Sequence, residues 1–335
     1  MSILAVGSED SDFEARGPMS VTTNPGYFRA NYVRCALASA IGAGTNQDHG
    51  WYLKFPVPQA DFWLTARFYS QTIYNSDSVA ALIGFMSDEI QTLALRLTQY
   101  GQSNPFYELV KIDGVGVVTI LDTATSPIYQ TTLTKLDFHV NYAVAGFVRV
   151  YVDGRLVLSY DGDVTTDGRV DIDTIRLADA NRSVMAWSEV ILADEDTRNM
   201  SLARLIPLAA GNAQQWDGVV GDVNEVTIND STFVTTDVVD ELAQFTVTPS
   251  PAIGGTLAVK AVVVAARAAK GATGPTSLKM NVRTNGADYD SAALPLDSAL
   301  GPVKSLFALN PNTGLAWTTA ELVSGGFNIG VKASA

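Results

Sequence analysis

The chain has 335 residues but few of the side chains that most often do chemistry: one cysteine, Cys35, and two histidines, His49 and His139. A single thiol excludes an intramolecular disulfide framework and any cysteine-rich zinc site. Two imidazoles leave little room for histidine-based metal or acid–base chemistry. The composition therefore predicts a protein that is not an enzyme.

Basic residues and long apolar runs are also scarce. There are 22 Lys and Arg against 35 Asp and Glu, a net charge of −13, which argues against nucleic-acid binding because that needs a basic surface. The longest apolar run, 257–269, is interrupted by Lys260 and Arg267, and a bilayer span takes about 20 apolar residues. No basic residue precedes the short apolar stretch at 3–6, so we expect no secretory signal and synthesis in the cytoplasm.

Short β-rich runs separated by turn residues dominate the first half of the chain. They lie at 62–69, 79–86, 92–98, 106–112, 115–121 and 184–192. Asp113-Gly114 predicts a type I′ hairpin, and Asp153-Gly154 predicts a second one between alternating strands. Asp161-Gly162 is expected to close the strand after that hairpin with another turn.

The second half repeats this all-β pattern after a break at 194–217. Strands are predicted at 243–247, 256–266, 277–284 and 327–331, and the ambiguous run at 257–269 is assigned to a strand because valines dominate its centre. A length of 335 exceeds one usual core, so two domains are expected. We predict domain 1 at 1–198, a linker at 199–216 and a smaller β-sandwich at 217–335. Of the net charge, −10 belongs to residues 1–198.

One segment of the first half resembles a known family. Phe138-His139-Val140, followed by Val148-Arg149-Val150-Tyr151-Val152-Asp153-Gly154, is similar to the signature of concanavalin A-like (laminin G-like) lectin domains, and Trp187-Ser188-Glu189-Val190-Ile191 resembles their closing strand. The resemblance implies an N-terminal jelly-roll sandwich over residues 1–198. In physical terms, Val148, Val150 and Val152 share one face of a strand, and the Asp-Gly pair makes the turn.

The second half resembles the C-terminal β-sandwich modules of tailed-bacteriophage virion proteins. The most specific segment is Pro311-Asn312-Thr313-Gly314-Leu315-Ala316-Trp317-Thr318, in which Pro311 to Gly314 would form a turn and Trp317 would anchor it to the core. The resemblance implies a virion location, assembly in the host cytoplasm, other virion proteins as partners and a homo-oligomer.

Two groups of acidic residues invite a chemical interpretation. Asp171 and Asp173 alternate on one predicted strand, as carboxylates do in sandwich glycosidases, but the next position on that face is Ile175, so a solvated strand face is the preferred reading. Asp161, Asp163 and Asp167 could supply oxygen ligands to calcium, although ordinary turn chemistry also explains them. No other cofactor is predicted.

A glycan contact is predicted in the loop that joins two early strands, at Tyr100, Gln102 and Asn104, because an aromatic ring and amides coincide there. Our main functional expectation is a non-enzymatic bacteriophage virion structural protein, a tail-tip, fibre or surface-appendage component with host-glycan attachment. The alternatives are a capsid decoration protein and, from another class, a polysaccharide-cleaving enzyme on a lectin-like sandwich.

Overall fold

The computed structural model describes eleven stretches of the chain, and they form two compact units, 1–202 and 203–335. The described residues are 3–7, 13–16, 37–38, 50–70, 78–100, 106–125, 134–178, 185–224, 230–248, 258–323 and 325–335. The boundary lies four residues beyond the predicted end of domain 1. Cys35 and His49 fall outside these stretches.

Unit 1 is a sandwich of two antiparallel sheets, which confirms the all-β jelly-roll prediction. Its strands are β1 (Ile3–Gly7), β2 (Glu14–Arg16), β3 (Leu37–Ala38), β4 (Gly50–Gln59), β5 (Asp61–Ser70), β6 (Ser78–Ser87), β7 (Ile90–Tyr100), β8 (Phe106–Ile112), β9 (Val118–Thr123), β10 (Thr134–Asn141), β11 (Gly146–Val152), β12 (Arg155–Gly162), β13 (Ile172–Ala178) and β14 (Met185–Ala193). Sheet A has the order β1-β14-β5-β10-β11-β12 with β3 on β14, and sheet B has the order β2-β4-β13-β6-β7-β8-β9.

The core of unit 1 lies between the two sheets and follows from strand alternation. Every second residue of a strand points to the same side, so one apolar set per strand can be buried. Phe62 and Leu64 of β5, Phe138 of β10 and Val148 and Val150 of β11 are fully buried in that core. The intervening residues of the same strands therefore face outward from sheet A.

Of the three predicted Asp-Gly turns, one is confirmed and two are not. Asp153 and Gly154 have φ values of +49° and +79°, so the type I′ hairpin between β11 and β12 is confirmed. The prediction for Asp113-Gly114 is wrong, since the loop has five residues and Gly116 alone takes positive φ within it. The carboxylate of Asp113 accepts hydrogen bonds from the amides of Val115 and Val117, which stabilises this longer loop instead.

Asp161-Gly162 does not form the predicted turn either. Strand β12 continues through Gly162, and the left-handed pair occurs later, at Asp167 and Gly168, with φ values of +52° and +74°. Pairing with β11 explains the difference, because Asp161 and Gly162 lie opposite Phe147 and Gly146. The sheet therefore extends past a dipeptide that alone would favour a turn.

Unit 2 is a smaller β-sandwich, as predicted. Its strands are β15 (Pro207–Gln214), β16 (Leu242–Val247), β17 (Val262–Ala268), β18 (Ser277–Thr284), β19 (Ala287–Asp290), β20 (Leu294–Pro295), β21 (Gly301–Phe307) and β22 (Asn328–Ser334). Sheet C has the order β15-β16-β22-β18-β19 with β20 on β18, and β17 pairs with β21 in sheet D. The strand assignment for 257–269 is confirmed by β17. The predicted linker at 199–216 is wrong in part, because β15 lies within it and pairs with β16.

Helix is rare in the described stretches, where a short α1 (Thr319–Val323) and one 3₁₀ turn are present. No helix among the described residues is long and apolar enough to cross a membrane.

Trp317 anchors the turn of unit 2 to its core, as the sequence predicts. The turn is closed by hydrogen bonds from the amides of Thr313 and Gly314 to the carbonyl of Asn310. The indole is buried, meets Phe327 edge-on at 5.8 Å, and donates from Nε1 to the carbonyl of Phe307 at 2.8 Å. One side chain thus packs in the core and joins the segment after the turn to the end of β21.

We expect Trp317→Ala to lower the free energy of unfolding of unit 2 by about 3–5 kcal/mol, because it removes a buried indole and leaves a cavity. Urea unfolding of the full chain measures this. The matched control is Leu315→Ala, whose side chain is exposed in the same turn and should change stability by less than about 0.5 kcal/mol. Equal losses in the two variants would contradict the anchoring role.

Candidate functional site

The outer face of sheet A carries polar and aromatic side chains in rows that cross the strands. In one row Trp63 of β5, His139 of β10 and Arg149 of β11 lie directly opposite each other. The adjacent row holds Asp61, Asn141, Phe147 and Asp161. At about 4.8 Å between strands, these rows extend for about 14 Å from β5 to β12.

Seven side chains of these two rows form a partly exposed surface, which we call the open strip. They are Asp61, Trp63, His139, Asn141, Phe147, Arg149 and Asp161.

Aromatic rings form the centre of the open strip. The imidazole of His139 stacks on the indole of Trp63, with ring centroids 4.2 Å apart and planes inclined by 18°. Phe147 meets the same imidazole edge-on at 4.7 Å, and Tyr151, in the next row, is nearly parallel to Trp63 at 6.0 Å. The rings therefore form an ordered platform at the protein surface.

Hydrogen bonds fix the polar side chains around this platform. One carboxylate oxygen of Asp61 lies 3.1 Å from His139 Nε2, within hydrogen-bonding distance. Its other oxygen accepts a hydrogen bond from Asn141 Nδ2 at 3.0 Å. Arg149 donates to Asp161 at 2.5 Å and to the carbonyl of Tyr160 at 2.7 Å. Both carboxylates remain well exposed, at 57% for Asp61 and 72% for Asp161.

Residues 194–200 lie across the neighbouring rows of the same face, and we call them the strap. The ammonium group of Lys135 donates to three strap carbonyls, those of Thr197, Arg198 and Met200, at 2.6–3.2 Å. From the strap the guanidinium of Arg198 lies 4.6 Å from the centre of the Tyr151 ring and 5.4 Å from that of Trp63. The strap thereby forms one wall of the open strip.

Beneath the strap lies a buried pair of opposite charges. Lys135 Nζ is 3.4 Å from a carboxylate oxygen of Asp137, whose side chain has almost no exposure. Burial raises the pKa of Asp137 and lowers that of Lys135, because each charged form loses hydration, while the partner charge opposes each shift. In the next strand, Arg67 is paired with the buried Glu189 at 3.0 Å, and Glu189 adopts φ +51° at a bulge of β14.

The predicted glycan loop cannot be placed. Tyr100 ends β7, and Gln102 and Asn104 lie outside the described residues, so this glycan contact stays a prediction.

Each of the three aspartates of the predicted calcium site makes an ion pair or hydrogen bonds with other groups of the protein. Asp161 pairs with Arg149; Asp163 accepts hydrogen bonds from Thr165, which lower its pKa, and Asp167 accepts one from the amide of Gly114. Within the stretches that the structure describes, no three acidic, histidine or cysteine side chains are grouped to hold a metal. Calcium binding stays a prediction without a ready-made ligand cluster there.

Asp171 and Asp173 do not lie on the open strip, because β13 belongs to sheet B. Asp173 instead accepts a hydrogen bond at 2.8 Å from the amide of Asp88, in the turn between β6 and β7. This turn contact explains an acidic residue at position 173 without catalysis.

Sequence reasoning missed most of the open strip. It used His139 only as part of the lectin-like signature and gave Trp63 no role beyond its place in a β-rich run. The sequence does contain a signal for the strip. In each alternating strand the residues between the apolar ones are polar or aromatic, at two-residue spacing: Asp61 and Trp63, His139 and Asn141, and Phe147 and Arg149.

Comparisons with known proteins give distant structural similarities only. No family model matches the chain, and no curated protein does. An endo-β-1,4-glucuronan lyase from the fungus Trichoderma reesei is 8% identical, with 55% of this chain and 90% of that chain covered and a TM-score of 0.41. An alginate lyase is 12% identical, with 61% and 100% covered and a TM-score of 0.40. A carbohydrate-binding module from Bacillus subtilis is 14% identical, with 44% and 84% covered and a TM-score of 0.32.

These comparisons correct the main functional expectation. The prediction of a bacteriophage virion structural protein is wrong: the three structures named above are two polysaccharide lyases and a carbohydrate-binding module, and none is a virion protein. The tail and capsid-decoration roles have no support either. Similarities this distant assign no residue and no activity to the chain, so the functional argument has to come from the open strip itself.

We expect Lys135→Met to destabilise unit 1 by about 3–5 kcal/mol, because it leaves the Asp137 carboxylate buried without its cation and frees three strap carbonyls. The double variant Lys135→Met/Asp137→Leu removes both charges and should recover a large part of that loss. Chemical denaturation of the unaltered protein, the single variants Lys135→Met and Asp137→Leu, and the double variant measures the coupling. A double variant no more stable than the Lys135→Met variant would contradict the buried pair.

Proposed function

We propose that this protein binds a polysaccharide along the open strip of sheet A. The observation that carries the proposal is the stacked Trp63–His139 pair, whose side chains stay partly exposed on a strand face. The C–H groups of a sugar ring can pack against exposed aromatic carbon. A large aromatic pair left accessible outside the core calls for a functional explanation.

The surroundings of the platform also suit a sugar ligand. Asp61, Asn141, Arg149 and Asp161 place hydrogen-bond acceptors and donors beside the rings. A few fixed polar groups around an apolar surface are the usual composition of small-molecule sites, in which the polar groups set orientation. Rigid β-strands hold these side chains, so little ordering entropy is lost on binding.

A second candidate is cleavage of the bound polysaccharide, and the His139–Asp61 contact favours it. An imidazole oriented by a carboxylate at 3.1 Å is a common arrangement for proton transfer, and this one is partly accessible to solvent. In this candidate His139 moves the proton, Asp61 fixes the orientation of the ring, and the aromatic platform positions the sugar.

We expect Trp63→Ala to weaken polysaccharide binding at least tenfold, because it removes the larger ring of the stacked platform. Affinity electrophoresis against a panel of soluble polysaccharides measures this, and hydrogen–deuterium exchange locates the contact. Phe233→Ala is the matched control, since Phe233 is an exposed aromatic of unit 2. A polysaccharide that binds equally to all three proteins would contradict the strip as the binding surface.

If His139 transfers a proton during cleavage, His139→Gln and Asp61→Asn should each reduce the rate at least a hundredfold. Appearance of new reducing ends and the ultraviolet absorbance of unsaturated products distinguish hydrolysis from elimination. Asp173→Asn is the control and should keep the full rate, because its carboxylate bonds to a turn of sheet B. Absence of product from every polysaccharide that the unaltered protein binds would exclude cleavage and leave binding in place.

A further inference from the structure

We infer that the ligand of the open strip is a neutral, hydroxyl-rich polysaccharide and not a polyanion, an inference that rests on the proposed function. It concerns the chemical class of the ligand, and it follows from the way the charges on this face are paired.

Both arginines beside the aromatic platform already hold a carboxylate of this chain. Arg149 donates to Asp161 at 2.5 Å, and Arg198 makes a two-point contact with Asp196 at 2.5–3.0 Å, which lowers the pKa of Asp196. A guanidinium binds one carboxylate well through its planar fork. An acidic sugar would therefore compete with an internal carboxylate at each arginine.

The cations further along the face are also matched. Arg67 is paired with Glu189 and Lys135 with Asp137, and both acids are buried. These four basic side chains thus lie among five acidic ones, the four partners and Asp61. Binding of a polyanion depends on an excess of positive charge at the surface. This surface has a slight excess of negative charge instead, so it does not attract an anionic polymer.

The excess acid, Asp61, lies where a sugar hydroxyl could reach it. Its carboxylate takes contacts from His139 and Asn141 and is still 57% exposed. A carboxylate offers about four acceptor positions and no donor. Asp61 and Asp161 are therefore suited to accept hydrogen bonds from hydroxyl groups and would repel a carboxylate or sulfate.

The field of the whole domain acts in the same direction. Residues 1–198 contain 14 basic and 24 acidic side chains. Charges beyond the strip are screened over about 8 Å at physiological ionic strength, so the repulsion of a polyanion is strongest at low salt. This field neither attracts nor repels a neutral polymer.

The test compares neutral homopolymers of glucose, mannose, galactose and xylose with chemically oxidised forms that carry carboxylates. Titration calorimetry with the full chain is done at low and at physiological salt. We expect at least one neutral polymer to bind, its oxidised form to bind at least tenfold more weakly at low salt, and the gap to narrow as salt is added. Equal or tighter binding of the oxidised form, lost in Trp63→Ala, would overturn the inference and leave the proposed function standing.

The variant Asp161→Asn tests the pairing directly. It releases Arg149 from its internal carboxylate, so we expect the ratio of the affinity for the oxidised polymer to the affinity for the neutral one to rise severalfold. An unchanged preference in a folded Asp161→Asn protein would count against the inference. If no polymer of either class binds, or if binding survives Trp63→Ala, the proposed function fails together with the inference.

Discussion

The structure of unit 1 depends on one constraint, the burial of alternate residues of sheet A. Leu136, Phe138 and Val140 of β10 are fully buried, and this fixes the register against β5 and β11. A shift by one residue would turn these side chains to solvent and bring Asp137 and His139 into the core instead. The face that carries the rings and charges is therefore set by the opposite face, which carries the core.

The same constraint places a pair of charges on the outer face of sheet A. Alternation turns Lys135 and Asp137 to that face, and the strap covers both side chains and removes them from water. Such a pair gains little on its own, because desolvation offsets most of its attraction. Its structural consequence is specific, since the Lys135 ammonium satisfies three backbone carbonyls of the strap and so positions Arg198 over the platform.

The sequence predicts the fold class well and the site poorly, and the physical reason is the range of the interactions. Alternation and the Asp153-Gly154 turn are local, so both could be predicted from adjacent residues. The turn predictions for Asp113-Gly114 and Asp161-Gly162 were wrong because contacts outside each dipeptide decide the structure. Asp113 caps a five-residue loop in one case, and pairing with β11 extends the strand in the other. Dipeptide chemistry sets a preference that the sheet can override.

The open strip shows the same limitation more strongly. Trp63 and His139 are 76 positions apart in sequence and become neighbours only through the pairing of β5 with β10. The sequence reveals that each strand has a polar or aromatic outer set, but it does not reveal which strands are adjacent. A search for acidic pairs within one strand therefore led to Asp171 and Asp173, whereas the described site is assembled across four strands.

Pairing across strands also determines the electrostatic character of the site. A net charge taken from composition excluded nucleic acid but could not indicate which cations were available. In the structure these cations are paired with acids: Arg149, Arg198, Arg67 and Lys135 each lie against a carboxylate. Aromatic surface and hydrogen-bond acceptors are accessible beside these ion pairs. Those are the features by which a protein with this net charge can recognise an uncharged, hydroxylated polymer without electrostatic attraction.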